Sequence, residues 1–208
     1  MKTNKVRNLA MVGMLSAVSF ILMFLEFPVP FMPSFIKMDV SELPALIGAF
    51  ALGPVEGVLI CLVKNLIHLL KTSSGGVGEL ANFMLGASFV FVAGLIYKLK
   101  NNRKGALIAS LAGAFVMGLM AIPCNYFITY PFYTNFMPME AIIGAYQAIN
   151  PKVETLLQCL VMFNCPFTIG KGLVDVAITF LVYKRLSPII KGTHKSVTKD
   201  AKAAEAEA

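Results

Sequence analysis

The sequence predicts an all-α integral membrane protein of six transmembrane helices with both termini on the cytoplasmic side. The first observation is composition. Of 208 residues, 57% are hydrophobic and 14% are charged, against about 25% charged in a soluble domain. A chain this short leaves too much surface exposed to hide that apolar excess from water, so the excess must face lipid. The second is run length. Leu9 to Leu25, Leu80 to Tyr97, Ala106 to Ile122 and Leu156 to Tyr183 carry few charges, and each approaches or exceeds the roughly 17–25 residues of a bilayer-crossing helix. None alternates polar with apolar as a barrel strand does. The third is the placement of positive charge. Most of the 18 Lys and Arg residues sit in three clusters: Lys2, Lys5 and Arg7; Lys98, Lys100, Arg103 and Lys104; and the tail from Lys184. Cytoplasmic flanks of membrane spans have this bias.

The spans fall at roughly 7–26, 41–52, 55–70, 78–98, 105–128 and 156–184. The first is too long in its apolar stretch for a cleavable signal, and no Ala-x-Ala site follows it. Placing all three basic clusters on one side requires 39–70 to be a hairpin of two helices. Gly53-Pro54 is its turn, Ser41 its start, and Pro44 lies in its first helical turn; the first arm is short for a full crossing. Residues 1–187 then form a single six-helix domain, and 188–208 a polar, disordered tail. Only Lys37, Lys71 and Lys152 remain on the outer side. The net charge of +7 is thus a topology signal, with no folded basic surface for nucleic acid.

Two outer loops stand out. Phe27-Pro28-Val29-Pro30-Phe31-Met32-Pro33-Ser34-Phe35 is stiff and apolar, and Thr129 to Pro151 carries Tyr130, Phe132, Tyr133, Phe136 and Tyr146. They read either as an interfacial aromatic belt or as lids over an outward pocket.

Polar groups at membrane depth are costly and mark function or pairing. They are Lys64 and Asn65 with His68, Glu79 with Asn82, Asn125, Thr168 with Lys171, and Asp175. Lys171 lies 13 residues before Lys184, roughly 20 Å along a helix, too deep to snorkel easily. Asp175, one turn on, is a possible partner; the alternative is that Lys171 donates to a ligand. Thr168 shares its face, and Asn125 presents a donor and an acceptor in one plane, suited to an amide-like ring edge or to gluing helices together. In the first span, Ala10, Gly13 and Ala17 form a small-residue seam that permits close approach of another helix.

Other chemistry is missing. Gly75-Gly76-Val77-Gly78 has no Gly-Lys-Ser/Thr after it and no strand before it, so the chain carries no ATP-hydrolysing motif. No catalytic constellation stands out. Cys61, Cys124, Cys159 and Cys165 lie in apolar segments without metal or disulfide spacing, and His68 and His194 lack a ligand cluster.

In order along the chain, the Phe27–Phe35 motif, Gly53-Pro54-Val55-x-Gly57, Val63-Lys64-Asn65-Leu66, Ala81-Asn82-Phe83, Asn125-Tyr126-Phe127 and Pro166-Phe167-x-x-x-Lys171-Gly172 resemble the S components of energy-coupling factor (ECF) transporters, specifically the riboflavin-binding ones. The resemblance covers roughly residues 5–187. It implies a six-helix protein of the plasma membrane that captures the vitamin outside and passes it inward with a separate coupling membrane protein and two ATPases. It needs no cofactor and is not an enzyme. It also implies ligand contacts at Asn125, Thr168 and Lys171, with Asn82 nearby, and a coupling-protein interface at Ala10, Gly13 and Ala17; Glu79, Lys64 and Asn65 join the candidate ligand site as polar groups at membrane depth. Thr168 departs from the family's usual Asn and reaches less far. A different vitamin or heterocycle as ligand, and a stand-alone ion-coupled carrier in which Lys171–Asp175 or Glu79 titrates, are the alternatives.

Overall fold

The computed structural model describes residues 2–33, 36–72 and 74–182. The predicted tail 188–208 and the predicted domain boundary at 187 lie outside the described residues, as do Ser34 and Phe35 of the proline-rich loop. Seven helices account for most of the described residues: α1 (Lys2–Met23), α2 (Glu42–Ala51), α3 (Pro54–His68), α4 (Val77–Leu99), α5 (Arg103–Tyr133), α6 (Met139–Gln147) and α7 (Leu156–Val182). By length and composition four of them, α1, α4, α5 and α7, are long and apolar enough to cross a membrane. The hairpin α2–α3 is shorter. Its arms of 10 and 15 residues reach only about 15 and 22 Å at the helical rise.

The turns follow from local chemistry. Gly53 holds φ at +142°, a conformation open to a residue without Cβ. Pro54 then starts α3 at a position where its missing N–H costs nothing. Asn102 caps α5 by accepting from Gly105 N at 2.7 Å. Thr155 and Gln158 form a reciprocal capping box at the start of α7. Ser41 precedes α2 as expected but does not cap it; its hydroxyl is engaged elsewhere.

Both α5 and α7 widen into one π turn, at Asn125–Thr129 and Leu160–Asn164. Each ends immediately before an X-Pro pair, Tyr130-Pro131 and Cys165-Pro166. Proline lacks the N–H and its ring crowds the carbonyl four residues back, so the preceding turn opens to i→i+5 bonding. Tyr130 N–H bonds Asn125 O and Cys165 N–H bonds Leu160 O.

Helix α3 packs against α1, α2 and α4, and α4 against α5. The main core combines Ala45, Leu46, Ala49, Ile60, Cys61, Phe89, Val90, Ala93, Ala114, Met117 and Val176. Several are small, and small residues let helices pack where lipid and protein are equally apolar. A second core beneath α6 holds Tyr130, Ile142, Tyr146, Val153, Cys159 and Leu160. The segment after α1 folds back as a short antiparallel ladder, β1 (Phe27–Pro28) on β2 (Lys37–Met38), pairing Phe27 with Met38 and Pro28 with Lys37. This hairpin, the 69–76 turn and the 130–155 segment gather at one end of the bundle. The Gly53 turn and Lys98 meet at the other.

Candidate ligand-binding site

A cavity of about 530 Å³ opens at the end that carries the hairpin and α6. That is within the range of small-molecule sites. Its walls come from α1, the hairpin, α4, α5 and α7, with apolar surface from Met23, Ile36, Leu85, Met117 and Phe167. Asn82, Asn125 and Thr168 line it, and the side chain of none of them has a hydrogen-bond partner among the described residues. Asn82 Oδ1 is buried without a partner. Groups of this kind call for a ligand or water.

Lys171 forms part of the inner wall. Its Nζ donates to Asp39 Oδ2 at 2.8 Å and lies 3.4 Å from Glu42 Oε2. Asp39 Oδ1 accepts from Ser41 N at 2.9 Å. Lys64, fully buried, donates to Ser41 Oγ at 2.6 Å and to Glu42 Oε1 at 2.8 Å. Ser19 of α1 donates to Ser41 O at 2.6 Å. One polar web therefore joins α1, α2, α3, α7 and the segment just after β2. Gly86 of α4 makes room for it, since a Cβ there would sit 2.8 Å from Glu42 Oε1. Burial raises the Asp39 carboxyl, and the neighbouring ammonium groups of Lys171 and Lys64 outweigh it, holding the carboxyl well below the usual carboxylate range.

A second polar network, this one neutral, borders the cavity through Tyr130 and Asn164. Tyr146 donates to Asn164 Oδ1 at 2.6 Å, Asn164 Nδ2 donates to Tyr130 Oη at 3.1 Å, and the two tyrosine hydroxyls bond each other. This network ties α6 to both π turns. Burial lifts the Tyr146 phenol well above the ordinary tyrosine value. At the mouth, Glu79 accepts from Thr72 at 2.8 Å and from Ser74 at 3.1 Å, and pairs with His68 Nδ1 at 2.8 Å. Lys37 pairs with Glu26, and Lys71 lies 4.8 Å from the centre of the Phe24 ring.

The sequence pattern of the family described as "ECF transporter, substrate-specific component" matches residues 7–183. The chain belongs to this family. It is a transporter component, not an enzyme. Riboflavin transporter RibU of Staphylococcus aureus (strain TCH60) is 37% identical over 195 residues, 92% of this chain and 95% of that protein. Riboflavin transporter FmnP of Bacillus subtilis (strain 168) is 32% identical, over 90% of this chain and 95% of its own. The solved structure described as "Structure and mechanism of the S component of a bacterial ECF transporter" superposes with a TM-score of 0.73 at 34% identity, covering 90% of this chain and 99% of that one.

Within this S component, six residues singled out from sequence meet around the cavity: His68, Glu79, Asn82, Asn125, Thr168 and Lys171. Lys64 and Asn65 do not line it. Lys64 serves the polar web, and Asn65 donates to Cys61 O at 2.8 Å, one turn back on its own helix. The suggested Lys171–Asp175 pair does not form. Asp39 and Glu42 converge on the ammonium from another part of the chain, and neither Asp175 oxygen has a hydrogen-bond partner among the described residues. Asp39, Glu42 and Asn164 were not singled out as site residues, and Tyr130 only as one aromatic of an outer loop that could serve as a lid. For Asn164 the signal was present, an amide two residues before Pro166 inside an apolar run. Asp39 reads as an ordinary loop acid until Lys171, 132 residues on, is seen beside it. Ala10, Gly13 and Ala17 lie exposed on the outer face of α1, and a Cβ at Gly13 would meet nothing within 4 Å.

Proposed function

We propose that this S component binds riboflavin in the cavity and delivers it inward with a separate coupling membrane protein and two ATPases. The observation that carries the reading is the set Asn82, Asn125 and Thr168. These are three side chains with no hydrogen-bond partner among the described residues, converging with the Lys171 ammonium on one cavity. An isoalloxazine has an apolar benzenoid end and a polar imide edge. Met117, Leu85 and Phe167 suit the first, and the amide of Asn125 with the donor of Lys171 suits the second. The hydroxylated ribityl tail then points to the mouth, beside Glu79. The riboflavin transporters named above support the same ligand. Lys64 and Asn65 act one layer behind the cavity.

The chain crosses the plasma membrane six times as a single domain over residues 1–187, with 188–208 as a polar tail. The α2–α3 hairpin supplies two crossings, both termini are cytoplasmic, and the cavity opens outward. The basic clusters of the sequence support this orientation, and lipid covers the apolar flanks. The exposed seam of Ala10, Gly13 and Ala17 meets the coupling protein.

Titration of the purified protein with riboflavin, followed by quenching of flavin fluorescence, tests the reading. Saturable quenching at nanomolar concentration is expected. Its absence would reject riboflavin in favour of another heterocycle. Uptake into vesicles without any ATPase partner would instead favour an ion-coupled carrier.

A further inference from the structure

We infer that Asp39 is a positioning residue for Lys171, and that it holds the ammonium toward the cavity against a competing acid, Asp175. The inference rests on the riboflavin reading for its ligand and on the geometry for everything else.

An ammonium has three donors and rotates freely on a flexible stem. In this protein one donor goes to Asp39 Oδ2 at 2.8 Å, and Glu42 Oε2 lies 3.4 Å away. Asp39 is itself fixed, because its second oxygen accepts from Ser41 N and only 6% of the residue is exposed. Glu42 is fixed by Lys64 and Ser41. Two anchored carboxylates thus set the direction of Nζ, and a donor remains for the cavity that Lys171 lines.

Asp175 lies four residues on, on the same face of α7, fully buried and with both oxygens unpartnered among the described residues. It does not line the cavity. Once Asp39 no longer carries charge, Glu42 at 3.4 Å alone holds Lys171 against the unpartnered Asp175, and the ammonium is freer to turn back along α7 away from the ligand. Asp39 follows β2 directly, so the same bond ties the last helix to the hairpin at the mouth.

The test compares the full chain with Asp39→Asn, Lys171→Ala and the double variant. In ligand-free protein, the side-chain ¹⁵Nζ resonance of Lys171, assigned by its loss in Lys171→Ala, should be protected from solvent exchange and should shift in Asp39→Asn. An unchanged resonance would overturn the inference, whatever the ligand. For riboflavin, Asp39→Asn should weaken binding about tenfold, close to Lys171→Ala, and the double variant should be within about twofold of Lys171→Ala alone. Wild-type affinity in Asp39→Asn, or a double variant weaker by the product of the two losses, would also overturn it. If wild type itself does not bind riboflavin, the ligand assignment fails while the resonance still decides the role of Asp39. Should Asp39→Asn not fold, Asp39→Glu keeps the charge and moves the carboxylate by one methylene. An affinity between those of wild type and Lys171→Ala is then expected, and wild-type affinity counts against the role.

Discussion

Two polar networks beside the cavity solve the same problem by different chemistry. In one, Asp39, Glu42, Lys64 and Lys171 form a charged web contributed by two helices, the residues leading into α2, and the last helix. In the other, Tyr130, Tyr146 and Asn164 form a neutral network between α6 and the two π turns. Both satisfy buried polar groups. The difference lies in what the loss of one member leaves behind. A neutral network that loses a hydroxyl leaves an unmet dipole, whereas a charged web leaves an unmet charge, and that is the larger penalty in a low-dielectric interior. The charged web is therefore rigid by necessity. The neutral network joins elements that can part at smaller cost, and it includes α6, at nine residues the shortest of the seven helices.

The largest effect is expected from Glu42→Ala, which leaves fully buried Lys64 with Ser41 alone. It should lower stability by about 3–5 kcal/mol, read from thermal or denaturant unfolding in detergent; a loss of less than about 1 kcal/mol would remove the proposed contrast. Tyr146→Phe in the neutral network should cost less, about 1–3 kcal/mol, by the same assay. If it matches Glu42→Ala, charge is not what separates the two networks. Lys171→Ala should weaken riboflavin binding at least tenfold, about 1.4 kcal/mol, in the fluorescence titration, and unchanged affinity would take Lys171 out of the site. The charged web also has a pH signature. The Asp39 carboxyl is held below its ordinary value, so its contribution is complete above that value and declines as pH falls through the folded one. The stability gap between wild type and Asp39→Asn should be flat from neutral pH to about pH 5 and close only in stronger acid; a gap already closing at pH 6 would contradict the pairing. The smallest effect on binding is expected from Gly13→Trp, whose site faces open space. Riboflavin affinity should be unchanged while transport with the coupling protein is lost.

Much of the helix plan was legible because it rests on run length and punctuation. The predicted 78–98 span is the observed Val77–Leu99, and Gly53-Pro54 is the observed turn. The fifth helix runs further than the predicted 128, to Tyr133, because a π turn carries it past the point where hydropathy falls. Asn82, Asn125, Thr168 and Lys171 were legible as site candidates since a polar group in an apolar run is conspicuous. Lys64 was equally conspicuous and yet lies behind the cavity, because depth in the membrane does not say which way a side chain faces.

The sequence by itself determined that this is a helical membrane protein with a few polar groups set in apolar runs, and its ordered motifs resembled the S components. Composition, run length and charge placement are one-dimensional, and the bilayer turns them directly into structure. Only the tertiary structure decided which acid Lys171 meets. Asp175 is near in sequence and unpaired, while Asp39 is 132 residues away and bonded. Folding brings the start of α2 against α7, and an ammonium bonds the carboxylate that packing places within reach, whatever the distance along the chain.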